Sequence, residues 1–241
     1  METTKNGWTV IDRAAGVLTF TYVFNKKSGA SANTFTARMA DGKLVVISPC
    51  CADADEHLRD LLEFGEVGAV VASNGLHHLG LQQWRRVFPD ARFVAPELAI
   101  PRIAKKNPDS GALEPLETLA PLFGDDLCIR DAPGTKCGEC WAWTKTEAGY
   151  TWFASDVLAN IQKLSGPVFF RALFRLTKSG PGFRLFNLAM LAIVKDKRKL
   201  LAALLEDLEA HPPTVLVLAH GETQSQSTIS EETLALVRAA L

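Results

Sequence analysis

Residues 67–80 read VGAVVASNGLHHLG, a short apolar run that leads into two adjacent histidines. The run 67–72 is bounded by glycine and serine, and this pattern predicts a buried strand. His77 and His78 follow its end, where loops converge in layered α/β folds and build sites. The stretch therefore predicts two imidazoles at the edge of a buried sheet.

Two further predicted strands end close to a side chain that can bind metal. Residues 150–154 are followed by Asp156, and residues 214–219 are followed by His220. Ordinary structural roles are the alternative, because His77 and Asp156 can each cap a helix and His220 can lie in a turn. Each alternative is reasonable by itself, but three strands that end in this way favour a common site.

The chain opens with an antiparallel pattern. Strands are predicted at 17–24, 34–39 and 43–48, and Asp41-Gly42 joins the last two. Asp-Gly between apolar runs is a strong hairpin signal, because glycine tolerates the positive φ of a tight turn. A simple doubly wound sheet would not begin with such a hairpin.

The rest of the chain alternates between strands and helices. Strands are predicted at 67–72, 92–95, 127–131, 140–144, 150–154 and 214–219. Helices are predicted at 53–64 with Asp53 as its cap, at 79–88, at 96–106, across most of 157–210, and after a Ser230 cap, with 107–124 mostly loop. This order favours two β-rich halves, each with helices attached.

Composition excludes several classes of protein. The 241 residues carry 26 basic and 27 acidic side chains, and this balance gives no field that would gather the chain onto nucleic acid. We expect no transmembrane segment, since no apolar run reaches about 18 residues. METTKNGW at the start has no apolar run, so we expect no secretory signal. Five cysteines, an odd and sparse set, favour the reducing cytoplasm over a disulfide framework.

Several segments together carry a family resemblance. They are NTFTARMADGKLVVISP (33–49), GLHHLGLQQWRRVFPDARFVAP (75–96), SDVLAN (155–160), KDKRKLLAALLEDL (195–208) and VLAHGE (217–222). In order and spacing the chain resembles the metallo-β-lactamase fold superfamily, and within it a degenerate branch known as domain of unknown function 4336. The resemblance implies an α/β (α+β) protein, a four-layer αββα sandwich that spans residues 1–241 as a single domain.

The resemblance also implies which metal ligands are missing. Catalytic members carry His-x-His-x-Asp-His-x-Gly, and with the final His-x-Gly in register, Ser73 and Gly75 stand where the first two histidines would be. Thr135 stands at the position of a further histidine, in APGTKCGE. These three losses remove the first metal position of a dinuclear site, so we expect one ion at most.

The second metal position survives in altered form. The resemblance maps its ligands onto four residues: His77, His78, Asp156 and His220. Three imidazoles and one carboxylate suit zinc or iron. The expected function is a metal-dependent hydrolase of an unknown small molecule, with Asp156 and His220 as catalytic residues. The alternative is a non-catalytic relative without metal, in which these side chains hydrogen-bond one another and the scaffold binds a ligand or partner.

Two other features have open interpretations. Cys137 and Cys140 form a C-x-x-C pair, which can bind zinc or perform dithiol chemistry. Residues 157–195 carry six basic and no acidic side chains, interleaved with phenylalanines. We expect a basic helical insertion packed over the site, with Arg171 or Arg175 at its mouth. Binding of an anionic substrate or of a membrane surface is the alternative.

Overall fold

Two β-sheets form the centre of the protein, whose computed structural model describes residues 2–164 and 166–241. The larger sheet has eight strands: β1 Glu2–Thr3, β2 Thr9–Asp12, β3 Val17–Asn25, β4 Ala30–Arg38, β5 Leu44–Ile47, β6 Val67–Val71, β7 Arg92–Ala95 and β8 Glu114–Pro115. They lie in chain order, antiparallel from β1 to β5 and parallel from β5 to β8. The predicted antiparallel opening is therefore confirmed.

The second half of the chain supplies the smaller sheet. The remaining strands are β9 Leu127–Asp131, β10 Cys140–Thr146, β11 Gly149–Ala154, β12 Leu158–Ile161, β13 Gly182–Leu185 and β14 Pro213–Leu218. Four of them form a sheet in the order β14-β11-β10-β9, while β12 and β13 form a separate hairpin. Strands β11 and β14 run parallel, so their carboxyl ends lie at the same edge.

Helices cover the outer face of each sheet. They are α1 Asp55–Arg59, α2 Leu81–Val87, α3 Ile100–Lys106, α4 Val168–Leu176, α5 Asn187–Ile193, α6 Lys197–Ala210 and α7 Ile229–Arg238. One apolar cluster joins α1, α2 and α3 to the larger sheet, and another joins α5, α6 and α7 to the smaller sheet. No helix within the two described ranges is long and apolar enough to cross a bilayer.

A third apolar cluster fills the space between the sheets. Strand alternation explains it, because successive side chains of a strand point to opposite faces. Along β10, Cys140 and Ala142 belong to this inner cluster, while Trp141 and Trp143 pack toward the helices. The rings of Phe35 and Phe153, one from each sheet, stack with centroids 5.6 Å apart. The resulting order of layers is the predicted αββα sandwich.

The prediction of a mainly helical segment over 157–210 is wrong in part. Strands β12 and β13 pair across it, with Leu158 opposite Leu185. The cause is a contact distant in sequence: the Asn160 amide donates to the His220 carbonyl at 2.9 Å, which holds β12 extended. Local sequence carries no sign of such pairing.

Two predicted helix starts also need correction. Helix α1 begins at Asp55, and Asp53 lies on the surface, paired with Lys26 at 3.2 Å rather than capping the helix. Helix α7 begins at Ile229 with Thr228 as its cap residue, so Ser230 lies inside the first turn. Both differences are of one or two residues. Helix ends fray, so a sequence pattern locates such a boundary only to within that range.

Candidate metal centre

Three strand ends bring together one imidazole, one carboxylate and another imidazole. His77 follows β6 of the larger sheet, whereas Asp156 and His220 follow β11 and β14 of the smaller one. The Nε2 atoms of His77 and His220 lie 3.3 Å and 3.1 Å from the same Oδ1 of Asp156. One ligand atom from each residue lies within 4.8 Å of the other two. Of the four residues that the sequence analysis assigns to one site, these three lie together.

The second nitrogen of each histidine has a partner of its own. His77 Nδ1 lies 2.7 Å from the hydroxyl oxygen of Ser48, and His220 Nδ1 lies 3.1 Å from the carbonyl oxygen of Ser31. A carbonyl can only accept, so His220 donates from Nδ1, and in the neutral ring the lone pair is then on Nε2. Fixing the outer nitrogen in this way is how metal-binding histidines are oriented.

The two histidines change the electrostatic environment of Asp156. Burial by itself raises the pKa of Asp156, but His77 and His220 outweigh burial and hold that pKa far below its usual range. Burial likewise lowers the pKa of His220, but the hydrogen bond and charge of Asp156 outweigh it and the net shift is upward. The Asp156 carboxylate is thus ionised, as a metal ligand must be.

Asn74 connects the His77 turn to Asp156. Its Oδ1 accepts the amides of Leu76 at 2.7 Å and His77 at 3.2 Å, while its Nδ2 donates to Asp156 Oδ2 at 2.9 Å. Glu139, which is fully buried, accepts from Asn74 Nδ2 at 2.8 Å and from the Asp156 amide at 3.1 Å. Burial, and then the charge of Asp156, raises the pKa of Glu139 well above its usual range.

His78 lies outside the cluster, which corrects its prediction as a ligand. Its carbonyl accepts from the Leu81 amide at 3.3 Å and from Asn107 Nδ2 at 2.9 Å, so its backbone belongs to the start of α2. Among the described residues, its buried Nδ1 has no hydrogen-bond partner. Burial, and then the charges of His77 and Arg102, lowers its pKa. The turn fixed by Asn74 selects His77 instead.

Ser73, Gly75 and Thr135, which the resemblance places at positions of metal-binding histidines, make other contacts. Ser73 Oγ lies 2.8 Å from Ser155 Oγ, and both residues are fully buried. At Gly75 a Cβ atom would lie 2.6 Å from Cδ of Arg102, whose side chain occupies that space. Thr135 is buried and bridges to Val194 through its backbone. Hydrogen bonds and packing thus surround these three residues.

The three clustered residues fit a single ion of the zinc or iron class. Two imidazole nitrogens and a carboxylate oxygen are donors that both metals accept. For ligand distances of about 2.1 Å, neighbouring ligands of a tetrahedral ion are about 3.4 Å apart. The Nε2 to Oδ1 separations of 3.3 Å and 3.1 Å are close to that edge. Three protein ligands leave positions open for exchange.

A cavity of about 1050 Å³ lies over the three residues, and all three line it. Its walls are largely apolar, with Phe24, Leu79 and Phe186 among them. The rings of Phe24 and Phe186 lie 5.8 Å and 5.5 Å from that of His220. Pockets of this kind, apolar with a few convergent polar groups, bind small molecules.

Side chains of the 157–195 segment form part of this cavity. Leu164, Phe170, Phe174 and Phe186 line it. Arg171 and Arg175 are exposed and lie outside the lining, so their predicted place at the mouth is wrong. On α4 they lie on a neighbouring side, about 100° around the helix from Phe170 and Phe174.

The C-x-x-C thiols lie in different parts of the core. Cys137 packs in the cluster under the helices of the smaller sheet, whereas Cys140 packs between the two sheets. Both are free thiols. Among the described residues, neither cysteine belongs to a group of side chains that could hold a metal ion, so the structure gives no support to a shared zinc site.

Sequence reasoning missed the supporting residues Ser48, Asn74 and Glu139. One signal was present for Ser48, since it also follows an apolar strand, β5. Its φ of +58° places it in the left-handed region, where non-glycine residues are uncommon and often functional. Glu139 and Asn74 carry no comparable signal, because their role depends on contacts between distant segments.

Comparisons with known proteins agree with this architecture. No protein-family profile and no curated sequence matches the chain. Among solved structures, TMB-1 is similar with a TM-score of 0.60 at 14% identity, over 100% of this chain and 99% of that one. The metallo-β-lactamase FIM-1 from Pseudomonas aeruginosa, in its mono-zinc form, gives 0.57 at 14% identity over 97% and 95%. A metallo-β-lactamase from Hirschia baltica gives 0.55 at 11% identity over 95% and 96%.

Identities this low carry information about fold rather than activity. The narrower resemblance to domain of unknown function 4336 receives no support, since no family profile matches. The fold that the broader resemblance implies is confirmed by neighbours that cover nearly the whole chain on both sides. The geometry agrees with these neighbours, since two stacked sheets with flanking helices carry a His-Asp-His cluster at their strand ends. This chain therefore has the metallo-β-lactamase fold.

Proposed function

We propose that the protein is a metal-dependent hydrolase that holds one zinc or iron ion with His77, Asp156 and His220. The observation that carries the proposal is the convergence of both Nε2 atoms on one buried carboxylate oxygen, at 3.3 Å and 3.1 Å. Support comes also from Ser48 and Ser31, which hold the outer nitrogens. The substrate is a small molecule that enters the apolar cavity.

The ion would supply a Lewis acid that polarises a carbonyl or phosphoryl oxygen. The side chains of the protein position the ligands and shape the site. Asp156 and His220, both lining the cavity, present ligand atoms toward the substrate side. Phe24 and Phe186 flank His220 and exclude water from one side of the site. Asn74 and Glu139 fix the position of Asp156 through its Oδ2 atom and its amide.

Metal content is the direct test. Protein purified without a histidine tag is dialysed against zinc or ferrous iron and measured by elemental analysis. We expect about one ion per chain, with loss of binding in His77→Ala, Asp156→Asn and His220→Ala, because each removes one of three ligands. His78→Ala is the matched control, since its imidazole lies outside the cluster.

Two outcomes would contradict this proposal. One is a folded wild-type chain that binds neither metal at micromolar concentration. The other is a loss of metal in His78→Ala that equals the loss in His77→Ala. A chain that binds one ion but hydrolyses no ester, thioester, lactam or phosphodiester in a substrate screen would keep the metal centre and reject the hydrolase.

A non-catalytic scaffold is the second candidate, and one observation favours it. Asp156 Oδ1 can accept a hydrogen bond from a protonated His220 at 3.1 Å, so the cluster is satisfied as an ion pair. In that case the cavity binds a ligand without chemistry. Absence of bound metal in correctly folded protein would support this candidate.

The remaining assignments follow from the sequence. We assign residues 1–241 to one domain, in which 157–195 is an insertion over the cavity. The five cysteines are free thiols, which suits a reducing cytoplasmic location. The formal net charge of −1 gives no basis for binding nucleic acid.

A further inference from the structure

Helix α4 exposes an apolar surface to solvent. Every one of its side chains is at least partly exposed. Val168, Phe169 and Leu176 are 71%, 72% and 80% exposed. At about 100° per residue these three side chains lie within one third of the helix circumference, together with Ala172. Large apolar side chains grouped in this way mark a surface that contacts something else.

Basic side chains form the next strip around the same helix. Arg171 and Arg175 are four residues apart and exposed, and exposed Lys178 follows the end of α4. No acidic residue occurs anywhere in 157–195 to neutralise them. An apolar face beside an uninterrupted basic strip is complementary to a surface that is apolar within and anionic outside. A lipid bilayer with anionic headgroups has these properties.

The third side of α4 faces the cavity. Phe170 and Phe174 line it, and the Phe174 ring contacts that of Phe186 with centroids 5.7 Å apart. Phe186 in turn contacts His220 at 5.5 Å. Aromatic contacts therefore connect the cavity-facing side of α4 to the candidate metal centre.

We propose that α4 docks the protein on an anionic membrane surface, with Val168, Phe169 and Leu176 inserted among the acyl chains and Arg171, Arg175 and Lys178 against the headgroups. A second copy of the chain fits this face less well, because a symmetric contact would bring two sets of basic side chains together. Docking by this face leaves the cavity wall formed by Phe170 and Phe174 on the opposite side of α4, away from the lipid. The docking step is independent of the proposed function, which concerns the site at the far end of that wall.

Vesicle sedimentation tests the proposal. The full chain is mixed with phosphatidylcholine vesicles that contain 30% phosphatidylglycerol, and with pure phosphatidylcholine vesicles, at low and high salt. We expect binding to the anionic vesicles that weakens with salt. Arg171→Gln/Arg175→Gln should weaken it about 25-fold, since each basic residue near an anionic surface contributes about fivefold. Phe169→Ser/Leu176→Ser should weaken it by about tenfold or more, because insertion scales with buried apolar area.

Leu62→Ser and Leu98→Ser are matched controls, since both leucines are about half exposed, at 54% and 55%, on other elements. They should bind vesicles as the wild type does. Circular dichroism and zinc content should be unchanged in all variants, because Phe169 and Leu176 lie outside the cavity lining. A wild-type chain that binds anionic vesicles but does not bind zinc would reject the proposed function and leave the docking proposal standing.

Three results would overturn the docking proposal. The first is absence of sedimentation with anionic vesicles, and the second is equal binding to both vesicle types at all salt concentrations. The third is a dimer in analytical ultracentrifugation that Phe169→Ser/Leu176→Ser dissociates, which would make the apolar face a self-association surface.

Discussion

Ser48 illustrates how one residue can combine backbone strain with a functional contact. Its φ of +58° costs about 1–2 kcal/mol for a residue with a Cβ atom. Its hydroxyl lies 2.7 Å from Nδ1 of His77, and the residue is fully buried. Backbone bonds hold the position from both sides, with its amide donating to Val71 and its carbonyl accepting from Thr34. The strained conformation places the hydroxyl against the imidazole.

Removing that hydroxyl should weaken metal binding without unfolding the protein. For Ser48→Ala we expect a loss of about 10–100-fold in zinc affinity, the usual effect of deleting a partner of a metal-binding histidine. Ser48→Gly should lose the same affinity but be more stable than Ser48→Ala by about 1 kcal/mol, because glycine tolerates positive φ. Calorimetric zinc titration and urea denaturation measure the two quantities.

The control for this pair is Ser110→Ala, which alters a buried serine in a turn that does not contact His77. It should leave zinc affinity unchanged. Equal zinc affinity in Ser48→Ala and the wild type would show that His77 does not depend on the hydroxyl for its orientation.

At the scale of elements, the strands were predictable and one hairpin was not. Short apolar runs predicted β10, β11 and β14 within two residues at either end, because both faces of these strands are largely buried. The β12–β13 hairpin was missed, since its stability depends on pairing of Leu158 with Leu185 and on Asn160 contacting His220. For the same reason the sequence could not decide between His77 and His78. That choice is made by Asn74, which binds the amide of His77 and the carboxylate of Asp156.

The contact between β12 and the His220 loop yields a second prediction. Gly221 has φ of +102°, and a Cβ atom there would lie 1.9 Å from the Asn160 carbonyl oxygen. Gly221→Ala must push β12 away from the loop. We expect a loss of about 3 kcal/mol or more in the free energy of unfolding, since backbone must move. Zinc affinity should fall as well, because His220 is the preceding residue.

Gly42→Ala is the matched control, because Gly42 has φ of +84° but open space around it. It should cost about 1–2 kcal/mol from strain alone and leave zinc binding intact. Similar stability and similar zinc affinity for the two variants would show that the close approach of Asn160 to Gly221 is not required.

For the whole molecule, the candidate metal centre lies at the junction of the two sheets. His77 belongs to the larger sheet and lies 79 residues before Asp156 in the smaller one. Asn33 of β4 closes the same junction, since its Nδ2 donates to the carbonyls of Leu218 and Gly221, both at 2.7 Å. Neither sheet contains a complete ligand set by itself, so the site requires the assembled sandwich.

This division between the sheets has a kinetic consequence. Ligands that lie on distant segments come together late in folding. The long loops between these segments must close, at a cost in entropy, before the ligands can meet. Zinc should therefore leave the refolding rate unchanged and slow unfolding, as expected for interactions that are absent from the transition state. Stopped-flow tryptophan fluorescence with and without zinc measures both rates, and faster refolding with zinc would contradict the expectation. A newly made chain would thus complete its fold first and acquire its ion as the last step of maturation.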